Sequence, residues 1–282
     1  MQKRALAIHD ISCVGRCSLT VALPILSAAG VNTGVIPTAL LSTHTGEFTG
    51  YTHLDLSNQL LPIADHLATL GLHFDALYTG YLASPAQVAD VLAIADRLCD
   101  ADTHLFVDPA FADHGRLYSL MDASMPEKMS TLCARARTIV PNRTEACFLL
   151  GVPFRESGDT EADILALAHG LTAMGPESVV ITDVSLREDQ SGVAVYHRPT
   201  DTFSLFFRSR YPGVFHGTGD VFASFLLSAL LAGLTLTAAA ELALDCTHES
   251  IRLTLEGGEP LRYGVQFEHV LPQLIAALQP RF

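Results

Sequence analysis

Apolar runs of strand length alternate with stretches of helical periodicity along nearly the whole chain. The run ALAIHD (Ala5–Asp10) leads into an apolar series at helical spacing from about Ser18 to Ala29, and NTGVIPTAL precedes another from about Asp55 to Leu70. FDALYTGYL is followed by a helix over Pro85–Leu98, THLFVDPA by one near Glu127–Ala136, and TIVPN by a short one over Thr144–Leu150. Two further helical segments and the strand SVVITDV complete the run. This alternation predicts an α/β fold, with a mainly parallel central sheet and helices on both faces. GVAVYHR and TFSLFFRSRY, joined through Pro199 to Asp201, predict an antiparallel strand hairpin at one side. No linker, low-complexity tract or internal repeat breaks the pattern, so one domain over residues 1–282 is expected.

The stretch FHGTGDVFASFLLSALLAG changes the picture, because it carries chemistry at a predicted helix start. Gly217, Thr218, Gly219 and Asp220 stand directly before Val221, Phe222, Phe225, Leu226 and Leu227, an apolar series at helical spacing. The first backbone N–H groups of a helix have no intrahelical partner and carry the positive end of its dipole, and glycines let an anion approach them. A carboxylate in that first turn would repel a passively bound anion. Asp220 is therefore either a plain first-turn residue beside close-packed glycines, or part of a site that needs a carboxylate next to a phosphate. These four residues alone leave both open.

Ligands of open α/β sheets bind beyond the carboxyl ends of the strands. Those ends carry Asp10, then Ser42 to Thr45, then Gly80 and Tyr81, then Asp108 and Pro109. PNRTE (Pro141 to Glu145) and Thr182–Asp183 follow, and the GTGD helix closes the set. Carboxylates such as Asp108, Asp113 and Glu145 opposite a helix-terminal anion site suit phosphoryl transfer: magnesium offsets phosphate charge and backbone N–H groups hold the migrating group.

Composition narrows the partners. A formal charge of −13, from 17 Lys+Arg against 30 Asp+Glu, argues against nucleic acid or an anionic membrane and for a small ligand. Six cysteines without paired spacing, and a start with no signal-peptide core, predict a reduced, cytoplasmic protein. The long apolar stretch 221–236 is interrupted by serines and glycine and reads as a buried helix, not a membrane span. Lysine occurs only at Lys3 and Lys128, and neither has the surroundings of a Walker A loop or of a protein-kinase strand lysine. The same scarcity argues against a lysine Schiff base with pyridoxal phosphate. There is no G-x-S-x-G elbow, and His9, Cys13 and Cys17 lack the further ligands a zinc site requires.

LSTHTG, TGYLAS, VDPAFAD, PNRTEA, MGPESVVIT and HGTGDVFAS occur in an order and spacing similar to those of the pyridoxal and pyridoxamine kinases of the ribokinase-like superfamily. The resemblance covers nearly the whole chain. It implies ATP-dependent phosphorylation of a hydroxymethyl group, with STHTG pointing to a vitamin B6 vitamer. By matching positions, Asp220 becomes the base for the substrate hydroxyl, and Gly217, Thr218 and Gly219 become the anion hole. Asn142 and Glu145 match the element that organises magnesium and its waters, Asp108 and Asp113 lie near metal and phosphates, and Thr182 matches a phosphate contact. His44, Thr45 and Tyr81 match pocket residues for the pyridine. The implied partners are ATP and a small pyridine, the implied cofactor is magnesium, with a monovalent cation left open, and a homodimer is expected.

Two positions depart from that family. Asp10 stands where many pyridoxal kinases have serine, and at the pyridine nitrogen its carboxylate would favour the pyridinium form. Ala112 in DPAFAD replaces a glycine, which leaves the metal role of Asp113 open. A hydroxymethylpyrimidine kinase of the same superfamily is the nearest alternative, and a non-catalytic B6-binding protein a more distant one.

Overall fold

The structure is a computed structural model that describes residues 2–118 and 121–278. Its centre is β1 (Arg4–Ser12), which pairs in parallel with β2 (Asn32–Leu41) on one side and β4 (Ala76–Thr79) on the other. Beyond β4 come β5 (His104–Val107), β8 (Thr138–Ile139) and β9 (Ser178–Val184), all parallel. The hairpin β10 (Gln190–His197) and β11 (Thr202–Ser209) adds antiparallel to β9, and β3 (His53–Asp55) adds antiparallel to β2 at the far edge. The full order is β11-β10-β9-β8-β5-β4-β1-β2-β3. A separate two-stranded ribbon pairs β6 (Ala112–Asp113) with β7 (Arg116–Leu117).

Successive strand residues point to opposite faces, and both faces are covered by helices. On one face Leu6, Ile8, Leu77, Val107, Val179 and Ile181 pack in a single apolar cluster. The helices there are α2 (Ser57–Thr69), α3 (Pro85–Leu98), α4 (Met125–Cys133), α5 (Arg143–Leu150) and α6 (Glu161–Ala173). On the other face Ala5, Tyr78, Phe106 and Val180 meet α1 (Leu19–Ala28), α7 (Thr218–Leu231), α8 (Leu236–Gly257) and α9 (Leu271–Leu278). Tyr78 and Phe106 are fully buried and meet edge to face with centroids 5.3 Å apart. Burial of each such ring is worth about 1.5–3 kcal/mol. Among the described residues no helix is long and apolar enough to cross a membrane.

The mainly parallel sheet, its two helical layers and the side hairpin match the sequence expectation. Details differ for local reasons. β1 continues two residues past Asp10, because Ile11 and Ser12 still pair with Leu40 and Leu41 after a bulge. α2 starts at Ser57, since residues 53–55 form the edge strand β3. Between Leu150 and Ser178 there is one helix, α6, where two segments were expected; residues 151–160 contain two glycines and a proline and do not form one. β6 and β7 were not anticipated, because each is only two residues long.

The strand order reverses at β1, with β2 to one side and β4 to the other. That switch point opens a crevice beyond the strand ends, where open α/β sheets take their ligands. Asp10, Gly80 and Tyr81 stand on either side of it, and the amino end of α7 reaches across to it.

Candidate active site

Asp10 stands opposite a bulge of β2: the register shifts between His9 and Ile11, so that Thr38 and Ala39 together face Asp10 and it has no ladder partner. The residue is 5% exposed. Its Oδ2 accepts a long hydrogen bond from Ser12 Oγ (3.5 Å), and Oδ1 is buried without a hydrogen-bond partner among the described residues. Burial raises its pKa, and the nearby Ser18 and Ser12 side chains oppose that rise. A buried carboxylate oxygen left without a donor is costly in the free protein, so its location marks a place where a ligand donor fits.

At α7 the sequence GTGD forms the helix start that the apolar pattern predicts. Gly217 caps the helix at φ 73° and ψ 2°, with no side-chain cap. A Cβ at Gly217 would stand 1.9 Å from the Arg16 carbonyl oxygen, so both the positive φ and the close approach require glycine. At Gly219 a Cβ would meet nothing within 4 Å, so this side of the cradle is open. The first intrahelical bond runs from the Val221 N–H to the Gly217 carbonyl, which leaves the N–H groups of residues 218–220 available to an anion. Asp220 Oδ2 accepts the Ser18 N–H at 2.9 Å. Burial lifts its pKa to about 7, the Ser18 N–H works against that rise, and the charge of Asp10 adds to it. A carboxyl poised there can take a proton near neutral pH.

A second group of carboxylates lies at the ends of β5 and β8. Asp108 is 6% exposed, and its side chain accepts no hydrogen bond among the described residues. Burial and the charge of Asp220 raise its pKa well above the usual range. Asn142 and Glu145 form a capping box at the start of α5: the Glu145 N–H donates to Asn142 Oδ1 at 2.9 Å, and the Asn142 N–H donates to Glu145 Oε2 at 2.8 Å. Glu145 Oε1 accepts two more backbone N–H groups, from Phe111 (3.0 Å) and Ala112 (3.4 Å), and Asn142 Nδ2 donates to the Ala112 carbonyl at 2.7 Å. Asn-x-x-Glu thus clamps the DPAFAD turn against α5. Asp113 follows in the ribbon turn, partly exposed, with Oδ1 accepting the His114 N–H at 2.8 Å.

Replacing Glu145 with glutamine puts an amide NH₂ against backbone donors. Glu145→Gln should lose about 1–3 kcal/mol of stability by denaturant titration, and should also raise the magnesium concentration needed for half-maximal activity. Unchanged stability would show that the clamp contributes nothing.

Other predicted residues take varied places. His44 is buried with both ring nitrogens engaged: Nδ1 accepts the Gly46 N–H at 3.1 Å, so Nε2 carries the proton and donates to the Arg262 carbonyl at 2.6 Å. It can offer a ligand its ring surface, not a hydrogen bond. Thr45 is exposed on the same loop. Tyr81 lies across the crevice, its pKa pushed up to about 12 by burial with Asp10 and Tyr51 nearby. Thr182 extends the β8–β9 side through a parallel bridge to Asn142, and the Thr218 hydroxyl donates to the Phe215 carbonyl at 3.2 Å.

Sequence reasoning missed three neighbours. Ser18 holds Asp220. Tyr118 is 39% exposed as a residue, but its hydroxyl end is turned inward, and desolvation there together with the charges of Glu145, Asp113, Asp108 and Asp220 pushes its pKa well up. His216 packs against Gly46, with Nε2 3.5 Å from Glu47 Oε2. Only GRLY (115–118), which follows DPAFAD, and the HGTGD spelling could have signalled the last two.

The chain matches the phosphomethylpyrimidine kinase family over residues 23–263. It is 26% identical over 263 residues to a pyridoxal kinase of Granulibacter bethesdensis, covering 90% of each chain. A proposed phosphomethylpyrimidine kinase from Bacteroides thetaiotaomicron, crystallised with pyridoxal, is similar at 35% identity and a TM-score of 0.92, over 97% of this chain and 96% of that one. The pyridoxal kinase of Lactobacillus plantarum is similar at 30% identity and a TM-score of 0.90, over 99% of each chain. By sequence and fold, then, the chain belongs to the phosphomethylpyrimidine kinase family, among the pyridoxal kinases of the ribokinase-like superfamily.

Proposed function

We propose that this kinase transfers the γ-phosphoryl group of ATP to the 5′-hydroxymethyl group of a vitamin B6 vitamer. The observation that carries the reading is the unpartnered, buried Oδ1 of Asp10, in the same crevice as the carboxylate of Asp220. A pyridinium N–H supplies the donor that Oδ1 lacks. The pyridoxal bound to the Bacteroides relative supports the same ring class.

In this account the vitamer lies with its ring nitrogen at Asp10 and its ring against Tyr81 and His44. Its hydroxymethyl group reaches Asp220, which accepts the hydroxyl proton as the oxygen attacks. The N–H groups of residues 218–220 face the migrating phosphoryl and stabilise its charge without reorganising. Thr182 contributes to the phosphate side.

The donor set fits magnesium held jointly with nucleotide phosphates. Asp108 has no hydrogen bond of its own among the described residues and is pressed by neighbouring carboxylates, a strain that a cation relieves. Glu145 has both oxygens committed to backbone N–H groups, so it acts by holding the turn and, at most, a metal-bound water. Asp113 Oδ2 lies 3.6 Å from His114 Nε2, so serving a metal would require the exposed His114 ring to turn away. No three His, Cys, Asp or Glu residues among those described form a cage, as suits a cation that keeps waters and phosphate oxygens as ligands. Magnesium would neutralise charge on the transferring phosphates.

A second reading, phosphorylation of hydroxymethylpyrimidine, is favoured by the family match, and Asp10 Oδ1 would accept from a neutral exocyclic amine too, though without the charge assistance of a pyridinium. ADP release measured with pyridoxal, pyridoxamine, pyridoxine and hydroxymethylpyrimidine separates the two. Asp10→Ser should weaken binding of the vitamer roughly 5- to 30-fold and leave ATP binding unchanged, because a charge-assisted bond becomes a neutral one. The ring of the bound vitamer should also lose its proton at lower pH in the variant. Equal binding and equal ring titration would remove Asp10 from the pocket.

We also propose a single domain, a cytoplasmic setting and a homodimer. One sheet draws on residues 4–209, and all six cysteines are unpaired. Leu40 and Leu54, register partners at the open β2–β3 edge, are 39% and 56% exposed, a surface that a second copy would cover.

A further inference from the structure

Strained backbone collects around the candidate site. Among the described residues five non-glycine residues have positive φ, and four of them (Ser18, Glu47, His114 and Asp183) adjoin candidate site residues. Ser18 is the extreme case. At φ 53° and ψ −127° it lies outside even the left-handed helical basin, in a region normally left to glycine.

Serine before a helix usually caps it, but Ser18 makes no side-chain cap to α1. Its groups are used elsewhere. The Ser18 carbonyl accepts the N–H groups of Val21 (3.0 Å) and Ala22 (2.9 Å), which starts α1. Its side chain faces the carboxyl of Asp10. Its own N–H donates to Asp220 Oδ2, 202 residues away in sequence.

The loop before it has no room to relax. The Arg16 N–H donates to the Tyr263 carbonyl at 2.9 Å, and the Arg16 carbonyl occupies the space a Cβ on Gly217 would need. The Arg16 guanidinium is bound to Glu268 (2.7 and 3.0 Å) and to Glu259 (3.1 Å). A turn so anchored on both sides can hold one residue in an unfavourable conformation, and strain of this kind concentrates where positioning matters.

We infer that Ser18 is a positioning residue for the phosphoryl transfer: its strained backbone presents the N–H that fixes one oxygen of Asp220 and leaves the other for the substrate hydroxyl. The inference rests on Asp220 being the base. Ser18 touches neither substrate nor phosphate in this account and acts only through that carboxylate. It also joins the two carboxylates of the crevice, because the same residue faces Asp10.

The test separates backbone geometry from side chain. Ser18→Gly keeps the N–H and adopts the conformation freely but loses the hydroxyl that faces Asp10, so kcat should fall clearly less than in Ser18→Val, with the remaining loss in KM for the vitamer. Ser18→Val keeps the N–H but resists the conformation, so kcat should fall by roughly 10- to 100-fold with KM for ATP within about 2-fold. In an Asp220→Asn background Ser18→Val should produce no further loss, since the group it positions has gone. If Ser18→Val does not fold, Ser18→Thr, β-branched but with the hydroxyl retained, carries the same comparison with a smaller expected loss, about 3- to 10-fold. An equal fall in both backgrounds, or a fall for Ser18→Gly as deep as for Ser18→Val, would overturn the inference. Full turnover by Asp220→Asn alone would instead overturn the base assignment on which it depends.

Discussion

Asp220→Asn should lower turnover by roughly 100-fold or more while ATP binding stays nearly intact, because asparagine keeps the size and most hydrogen bonding but cannot accept the hydroxyl proton. The parent enzyme should lose kcat/KM as pH falls below about 7, where the Asp220 carboxyl takes up a proton. That acid limb should be absent from the residual activity of the variant. Stability should move the other way. The folded protein holds a proton at Asp220 up to about pH 7, whereas an unfolded aspartate releases it near its ordinary value of 3.8. Folding stability is therefore lost as pH rises between those values, and the variant should be the more stable protein above neutrality, by about 2–4 kcal/mol. Denaturant titrations at pH 5 and pH 8 measure the difference; a variant less stable than the parent at pH 8 would contradict the burial account.

Gly217→Ala should be nearly as damaging, for a different reason. An alanine there must hold φ near 73° and place its Cβ 1.9 Å from the Arg16 carbonyl oxygen. The cradle or the loop has to move. Loss of one aligned donor at a developing charge typically costs 10²–10³ in kcat, and a comparable fall is expected here together with about 2 kcal/mol or more of stability. Gly219→Ala separates the two effects. Its Cβ would point into open space, so stability should hold while activity falls, because the methyl group stands where the phosphate approaches. ADP-release rates and unfolding midpoints of both variants check this; a Gly217→Ala enzyme with parental turnover would remove the cradle from the mechanism.

Much of the fold was legible because the sheet is buried on both faces, so β1, β4, β5 and β9 read as continuous apolar runs and the helices between them keep their period. α3 was placed to the residue because Ser84 and Pro85 mark its start, with the Gln87 N–H donating to Ser84 Oγ at 3.3 Å. β3, β6 and β7 were not legible: three or two residues are too few for a period of two to register.

The site divides along a similar line. Asp10, Asp108, Glu145 and Asp220 could be named because each lies close to the carboxyl end of a strand or opens a helix. Their partners could not. Ser18 looks like a helix cap, and only coordinates show that it bonds to a residue on α7. His44 looks like a hydrogen-bonding pocket residue, yet Gly46 and Arg262 occupy both its nitrogens, and an Arg262 carbonyl 218 residues away leaves no local signal. Glu145 looks like a metal ligand, but backbone donors from the DPAFAD turn meet it through the fold.

In the proposed reaction Asp10 and Asp220 hold one pyridine between a nitrogen-binding carboxylate and a phosphoryl-transferring one. Identifying the phosphorylated product by mass spectrometry, after incubation with ATP, magnesium and an equal mixture of pyridoxal and hydroxymethylpyrimidine, tests it most directly. The phosphate should reside mainly on the 5′-oxygen of pyridoxal, one per ADP released, and Asp10→Ser should shift the mixture toward the pyrimidine. Phosphate found only on the pyrimidine, or ADP formed with neither ring phosphorylated, would contradict it.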